Sequence, residues 1–186
     1  MAFDFRHKDN SGFGLAQYIN GMNDIEHHQI NVLRLSNDKY GEFDIVLCLG
    51  LLYHTSDPYL ALANCASLSK NRLLIESYCI DSMVSKGLNK ELIMRFIADP
   101  SRFPQYGNVN NDSSNFWGFT SECLKQMVED IRFDFKRISV NADRVFIDAE
   151  RVTFKGKDTR FDVAYGLVNE VPVGSNPDDP EKWVIF

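Results

Sequence analysis

The sequence predicts an α/β protein with a mostly parallel sheet. The run Ile45–Leu49 is apolar at every position, which is typical of a strand inside a sheet that is covered on both faces. Asp57 is a good N-cap residue, and Pro58 suits the first position of a helix. A second strand pattern, Arg72–Ser77, follows that helix. Strand, helix and strand in this order form the unit from which parallel sheets are built.

Two short segments follow the predicted strands directly. Gly50–His54 comes after the first strand, and Glu76–Tyr78 ends the second. Ligands of parallel sheets bind beyond the carboxyl ends of the strands. We therefore expect a ligand site where these two segments meet.

The composition predicts one folded, acidic domain. The chain has 186 residues, is 44% hydrophobic and 12% aromatic, and carries a net charge of -6. This charge does not favour a broad basic face for nucleic acid. The longest apolar run has strand length, and charged residues interrupt the N-terminus, so we expect neither a membrane span nor a signal peptide.

The four cysteines fit a reduced, cytoplasmic protein. They are Cys48, Cys65, Cys79 and Cys123, and no two have the CxxC spacing of a zinc site. Cys48 and Cys65 lie in apolar runs and are expected to be small buried side chains.

Before the central unit, the pattern predicts a strand, a helix and a strand. Met1–Phe5 has the first strand pattern, and a helix is expected from Ser11 to Asn20, with Gly21 as its stop. Gln29–Leu35 alternates as a strand does.

The second half is predicted to hold two helices and an antiparallel pair of strands. Thr120 caps the second helix, whose buried stripe is Leu124, Met127, Val128 and Ile131. In order, the predicted elements are a helix at Asn89–Ala98, a long loop after Pro100, the helix after Thr120, strands at Phe133–Val140 and Val145–Phe154, and tail strands at Phe161–Val168 and Trp183–Phe186.

Three segments carry a resemblance to a known family. They are residues 43–68 (FDIVLCLGLLYHTSDPYLALANCASL), residues 73–81 (LLIESYCID) and residues 114–133 (SNFWGFTSECLKQMVEDIRF). Together they resemble class I methyltransferases that use S-adenosylmethionine. The first segment is most similar to the branch that includes the bacterial enzyme that carboxymethylates wobble uridine in tRNA, and the stretch from Tyr106 to Ser121 is similar to a later pattern of that branch.

The resemblance implies a Rossmann-like methyltransferase sheet that is N-terminally truncated. Residues 1–154 would form a methyltransferase-like domain, incomplete at its N-terminus, and residues 155–186 a C-terminal extension. The family's first strand and its Gly-rich turn have no counterpart, so the expected order is third, second, gap, fourth, fifth, seventh, sixth. The gap would be filled by residues of a longer reading frame, by the tail, or by another copy of the chain.

The resemblance also implies residues that bind S-adenosylmethionine. Asp4 matches the carboxylate that accepts hydrogen bonds from the ribose hydroxyls. Asn31 matches the residue that meets the adenine amino group, with Val32 beside the ring. The segment of Leu49, Gly50 and Leu51 matches the exit of the fourth strand, where the methionine part of the cofactor lies.

Further residues are candidates for catalysis and acceptor binding. Tyr53 and His54 are the acid–base candidates, because histidine titrates near neutral pH. Glu76, Tyr106 and Trp117 are the candidates for binding the acceptor. Each has a structural alternative: His54 bonds a neighbouring loop, Glu76 is an ordinary strand-end carboxylate, and the aromatic rings fill the core.

Two functions follow as hypotheses. The first is a methyltransferase that moves a one-carbon group to a small molecule or a nucleoside; tRNA is not favoured as its acceptor, because the chain is acidic. The alternative is a cofactor-free, methyltransferase-like remnant that acts in assembly or binding, with the missing strand supplied by the tail or by a homo-oligomeric partner.

Overall fold

The computed structural model describes residues 1–22, 24–99 and 114–152 of the chain. In chain order, the strands and helices are β1 (Ala2–Asp4), α1 (Phe13–Asn20), β2 (His27–Gln29), α2 (Asn37–Tyr40), β3 (Phe43–Leu49), α3 (Pro58–Ser67), β4 (Ser69–Tyr78), β5 (Met94–Phe96), β6 (Trp117–Phe119), α4 (Ser121–Asp130), β7 (Phe133–Asn141) and β8 (Arg144–Arg151). Short 3-10 turns lie at Lys8–Asn10, Val32–Arg34, Leu52–His54 and Leu88–Lys90.

Four strands form the main sheet, in the order β3-β4-β8-β7. β3 and β4 are parallel, with α3 between them in the chain. β8 pairs with β4 and with β7, in both cases antiparallel. The predicted parallel unit and the predicted final antiparallel pair are therefore confirmed.

β1 and β2 form a separate parallel pair. The Phe3 ring of β1 lies 6.5 Å from the Phe43 ring at the start of β3, measured between centroids. Among the described strands, β1 pairs only with β2, and β3 pairs only with β4. Within each of the two sheets, the described strands have the neighbours that were expected.

The hydrophobic core lies where α3 and α4 pack on the main sheet. Alternate residues of β4 and β8 point into it, as the two-residue period of a strand requires. The large side chains buried there include Leu62, Leu73, Ile75, Phe119, Leu124, Val128, Phe133 and Ile147.

Both predicted N-caps hold their helices. The Asp57 carboxylate accepts a hydrogen bond from the Leu60 N–H at 2.9 Å, and Pro58 occupies the first turn of α3. The Thr120 hydroxyl accepts from the Cys123 N–H at 3.3 Å at the start of α4.

The described residues cover only one face of β3, where the prediction had both faces covered. Cys48 points into the core and is 1% exposed, but Ile45, Leu47 and Leu49 on the other face are 54%, 60% and 55% exposed. An apolar pattern indicates that a strand is to be buried, but it does not indicate which part of the chain packs against each face. In the described parts of the chain, β3 is an edge strand.

Two other elements differ from their predictions. The predicted helix Asn89–Ala98 is a short turn followed by β5, because the backbone pairs with β6: the Ile97 N–H donates to the Phe116 carbonyl at 2.8 Å. A strand was predicted at Gln29–Leu35, but β2 already ends at Gln29, and a 3-10 turn follows at Val32–Arg34.

Several predictions concern residues outside the described ranges: the loop after Pro100, Tyr106, and the strands Phe161–Val168 and Trp183–Phe186. In the ranges that are described, no helix is long and apolar enough to cross a membrane.

Candidate functional site

The candidate site lies at the carboxyl ends of β3 and β4. The chain leaves β3 at Gly50, whose φ of +63° falls in the left-handed region that favours glycine. The Gly50 N–H still donates to the Glu76 carbonyl of β4 at 3.1 Å. A Cβ at Gly50 would lie 3.5 Å from the Tyr53 hydroxyl and 3.6 Å from a Glu76 carboxylate oxygen. The bare backbone of Gly50 therefore borders two of the predicted site residues.

Arg144 joins these two residues. The turn Leu52–His54 buries most of Tyr53 and brings its hydroxyl to Arg144, whose Nη1 donates to it at 2.7 Å. The same Nη1 lies 3.1 Å from Glu76 Oε1. The guanidinium also lies 5.2 Å from the centroid of the Tyr53 ring, within the range of a cation–π contact.

The charges in this cluster are balanced and partly shielded from water. The Glu76 side chain is 15% exposed and the Arg144 side chain 37%. The hydrogen bond to Tyr53, and then the attraction of the Tyr53 and Glu76 oxygens, raise the pKa of Arg144. Because the Tyr53 oxygen accepts from Arg144, its own proton is directed away from the guanidinium. Tyr53 is thus a hydroxyl donor held by a permanent cation.

His54 is held from the opposite side by Ser114, the residue that precedes the β6 region. His54 Nδ1 lies 3.1 Å from the Ser114 carbonyl oxygen and 3.0 Å from Ser114 Oγ. A carbonyl can only accept, so the contact to it is a hydrogen bond in the tautomer that carries its proton on Nδ1. The ring centroids of Tyr53 and His54 are 4.2 Å apart. His54 therefore makes the loop contact of its structural alternative, through Nδ1.

Trp117 fixes β6 above the site. Its indole N–H donates to the Ser56 carbonyl at 3.4 Å, and its ring packs edge-on against Phe96 with centroids 5.3 Å apart. Next to it, the Phe116 N–H donates to the Tyr53 carbonyl at 2.7 Å. Trp117 is partly buried against the core, and its role in binding an acceptor stays a prediction. Asn115 is buried here, and its Oδ1 has no hydrogen-bond partner among the described residues.

Asp4 and Asn31 lie at the carboxyl ends of the other parallel pair. Asp4 ends β1, and its Oδ1 accepts from the Arg6 N–H at 2.9 Å. Asn31 follows β2, and its Oδ1 accepts from the Leu33 N–H at 2.9 Å, which caps the next turn. Both hydrogen bonds are local, and each oxygen retains further acceptor capacity.

The apolar cofactor candidates are spread between the two sheets. Val32 is half-buried against the core, and its carbonyl accepts from Asn64 of α3 at 3.0 Å. Leu51 is half-buried beside Gly50, whereas Leu49 is exposed.

The structure thus brings Gly50, Tyr53, His54 and Glu76 into one cluster, with Trp117 beside it. Sequence reasoning missed Arg144, Ser114 and Asn115. Arg144 had one usable signal: it directly precedes the predicted strand Val145–Phe154, and an antiparallel neighbour of β4 would bring that position near Glu76. The pairing of Tyr78 with Arg144 does this. In the portion of the chain that is described, no group of three or more His, Cys, Asp or Glu could hold a metal ion.

Similarity to known proteins was found at the level of structure. No protein-family model and no curated protein matches the chain. An O-methyltransferase family protein from Burkholderia thailandensis has a TM-score of 0.57 at 15% identity, over 80% of this chain and 42% of that chain. The 1,6-didemethyltoxoflavin-N1-methyltransferase of the same organism, with 1,6-didemethyltoxoflavin and S-adenosylhomocysteine bound, has a TM-score of 0.51 at 16% identity, over 81% and 70%.

A third similar structure is the magnesium protoporphyrin IX methyltransferase of Synechocystis PCC 6803, with S-adenosylhomocysteine bound. Its TM-score is 0.51 at 15% identity, and the match covers 77% of this chain and 59% of that chain. The chain therefore spans about three fifths of that enzyme's length. At these identities the likeness establishes the fold: the chain has the Rossmann-like fold of class I methyltransferases.

Proposed function

We propose that this chain is the catalytic domain of an S-adenosylmethionine-dependent methyltransferase with a small-molecule acceptor. The observation that carries the proposal is the cluster of Gly50, Tyr53, Glu76 and Arg144 at the carboxyl ends of two parallel strands. This is the end of a parallel sheet at which ligands bind. The fold likeness to methyltransferases with bound S-adenosylhomocysteine supports the choice of cofactor.

The residues at these strand ends have the chemistry that such a cofactor would need. The Asp4 carboxylate has acceptor capacity beyond its bond to Arg6 for a ribose diol, and Asn31 Oδ1 has it for the adenine amino group. Val32 would line the ring. Leu49, Gly50 and Leu51 would line the methionine part, where Gly50 leaves room for close approach. The bound cofactor supplies a methyl group on a sulfonium, ready for in-line displacement.

The other residues position the acceptor and manage its proton. His54 Nε2 would take the proton of an acceptor O–H or N–H, while Ser114 holds Nδ1. Tyr53 would donate its hydroxyl proton to the acceptor, because Arg144 occupies its oxygen. Glu76 and Trp117 would line the acceptor side, together with Tyr106, which lies outside the described residues.

Two finer statements belong to the same proposal. Residues 1–154 would be the methyltransferase-like domain and residues 155–186 an extension. Within the methyltransferases, the segment of residues 43–58 favours the wobble-uridine branch, whereas the net charge of -6 does not favour tRNA. Salt-sensitive retention of tRNA in a filter-binding assay would support the branch assignment, and its absence would favour a small acceptor.

Isothermal titration with S-adenosylhomocysteine tests the proposal. We expect saturable binding, weakened by about 10-fold or more in Asp4→Asn, because a charge-assisted hydrogen bond contributes about 1.5–3 kcal/mol. Asp38→Asn is the matched control: it removes the same charge from a position in α2 and should bind as the unchanged chain does. Absence of both heat and thermal shift at millimolar cofactor would reject the proposal.

A further inference from the structure

We propose that the outer edge of β3 pairs with a strand from the tail of the same chain, residues 161–168, running parallel to β3. Such a strand would complete the main sheet whether or not the chain transfers a methyl group. Four features support it: an apolar face, an open backbone edge, the point at which the described chain ends, and the pattern of the tail sequence.

The apolar face belongs to β3. Ile45, Leu47 and Leu49 point to the same side of the strand, and each exposes more than half of its surface. Single exposed apolar side chains are ordinary, but three large ones in a row on one strand face mark a surface that is buried in use.

The open edge belongs to the same three residues. The Gly50 N–H points to β4, where it donates to the Glu76 carbonyl. Backbone groups alternate along a strand, so the N–H groups of Leu49, Leu47 and Ile45 point away from β4. β4 is the only described strand that pairs with β3. An apolar edge of this kind is a template for one more strand.

The described chain ends close to this edge. β8 runs antiparallel to β4, and its end lies at the sheet end where β3 begins: Glu150 is opposite Arg72, and Arg72 is opposite Ile45. A strand outside β3 would lie three strand spacings away, about 14 Å. Residues 153–160 can span about 26 Å when extended. A strand that enters from this end runs parallel to β3.

The tail sequence has the pattern that this edge requires. Phe161, Val163, Tyr165 and Leu167 alternate with smaller or polar residues. With the large side chains on the face of Ile45, Leu47 and Leu49, the N–H groups of Ala164 and Gly166 point toward β3, because in a parallel pair the residues on either side of the aligned one make the bonds. In this arrangement the small residues Ala164 and Gly166 would lie on the face of the sheet that Cys48 of β3 turns to the core.

Amide hydrogen exchange on the full chain tests the proposal. The amides of Leu47 and Leu49 should be protected, and nuclear Overhauser contacts should join them to residues 161–168. Ala164→Pro removes a donor that faces β3, and we expect it to speed exchange at Leu47 and Leu49 by at least about 10-fold. Ser175→Pro, also in the tail but beyond the strand, is the matched control and should change neither rate.

The amides of Val46 and Cys48 give an internal reference, because they face β4 and should stay protected in both variants. Fast exchange of Leu47 and Leu49 in the unaltered chain would overturn the proposal, as would the absence of contacts to residues 161–168. Protection that appears only together with a dimer would also overturn it, and would assign the edge to a second copy. If Ala164→Pro unfolds the chain, the contacts in the unaltered chain decide alone.

Discussion

The four-stranded sheet and the β1–β2 pair differ in how much they bury. In the main sheet, Leu73 and Ile75 of β4 and Val145, Ile147 and Ala149 of β8 are at most 2% exposed. In β1, β2 and α1, no residue is buried. Because burial of apolar surface is the main favourable term in folding, the main sheet carries the stability of the described chain. The β1–β2 pair, which carries Asp4 of the proposed cofactor site, buries little apolar surface and should contribute less stability.

The β1–β2 pair is held mainly by aromatic contacts and backbone bonds. The Phe3 ring stacks on His28 with centroids 5.5 Å apart and meets Tyr40 edge-on at 5.0 Å. The Ala2 N–H donates to the Glu26 carbonyl, and the Ile30 N–H to the Asp4 carbonyl. These contacts hold β1, which ends at Asp4, but the residues that make them are only half-buried.

The largest expected difference is between Phe133→Ala and Phe3→Ala. Phe133 is fully buried in the main sheet, with the Arg151 guanidinium 4.9 Å from its ring centroid, so its truncation should cost about 3–5 kcal/mol of unfolding free energy. Phe3 is half-buried, and its truncation should cost about 1–2 kcal/mol of unfolding free energy. Urea unfolding measures both losses. Equal losses would contradict the view that the main sheet carries more of the stability than the β1–β2 pair.

The next difference is between Gly50→Ala and Gly21→Ala. Both glycines have a φ of +63°, so alanine meets the same backbone strain of about 1–2 kcal/mol. Gly50 lies at the end of β3 in the main sheet, so we expect Gly50→Ala to lower the unfolding free energy by this whole amount, as measured by thermal unfolding. Gly21 ends α1, which buries nothing, so local fraying should reduce the measured cost below about 0.5 kcal/mol. If both variants cost the same, α1 is coupled to the core.

A smaller difference concerns two acidic side chains. Arg144→Met leaves Glu76 largely buried without its cation, and we expect a loss of about 1 kcal/mol, because the pair is partly exposed. Glu26→Gln in the β1–β2 region breaks a contact to His28 from a side chain that is 63% exposed, and should change stability by less than about 0.5 kcal/mol. Chemical denaturation of both variants checks this; a neutral Arg144→Met would contradict it.

The smallest effect is a pH dependence that belongs to the main sheet. The hydrogen bond from Arg72, and then its charge, hold the pKa of Asp148 below its usual value. The folded pKa is therefore below the unfolded one, so the pair stabilises the fold above about pH 4 and loses this contribution as the pH falls further. Arg72→Met should reduce the loss of unfolding free energy between pH 5 and pH 2. Lys39→Met, which removes the same charge beside Tyr40, should not.

The sequence predicts best where local chemistry decides. Asp57 and Thr120 cap their helices through bonds to residues three positions away, which a reader of the sequence can anticipate. The strand–helix–strand unit follows from the same local signals. Asp4 and Gly50 also lie at strand ends, as predicted.

It predicts poorly where distant residues decide. The apolar spacing of residues 92–97 suits a helix, but pairing with β6 more than twenty positions later makes it a strand. The bonds of Arg144 to Tyr53 and Glu76 span 91 and 68 positions, so no local pattern contains them. The exposure of β3 likewise depends on a neighbour that its own residues cannot specify.

The pairing of β4 with β8 has a consequence for biosynthesis. β4 lies between β3 and β8, yet β8 is the last described strand to emerge from the ribosome. A nascent chain that has completed β3, α3 and β4 can pair β4 with β3, but the other edge of β4 stays open for several seconds at ordinary elongation rates. Newly made protein should therefore be prone to aggregate, and should benefit from chaperones, until translation passes Arg151.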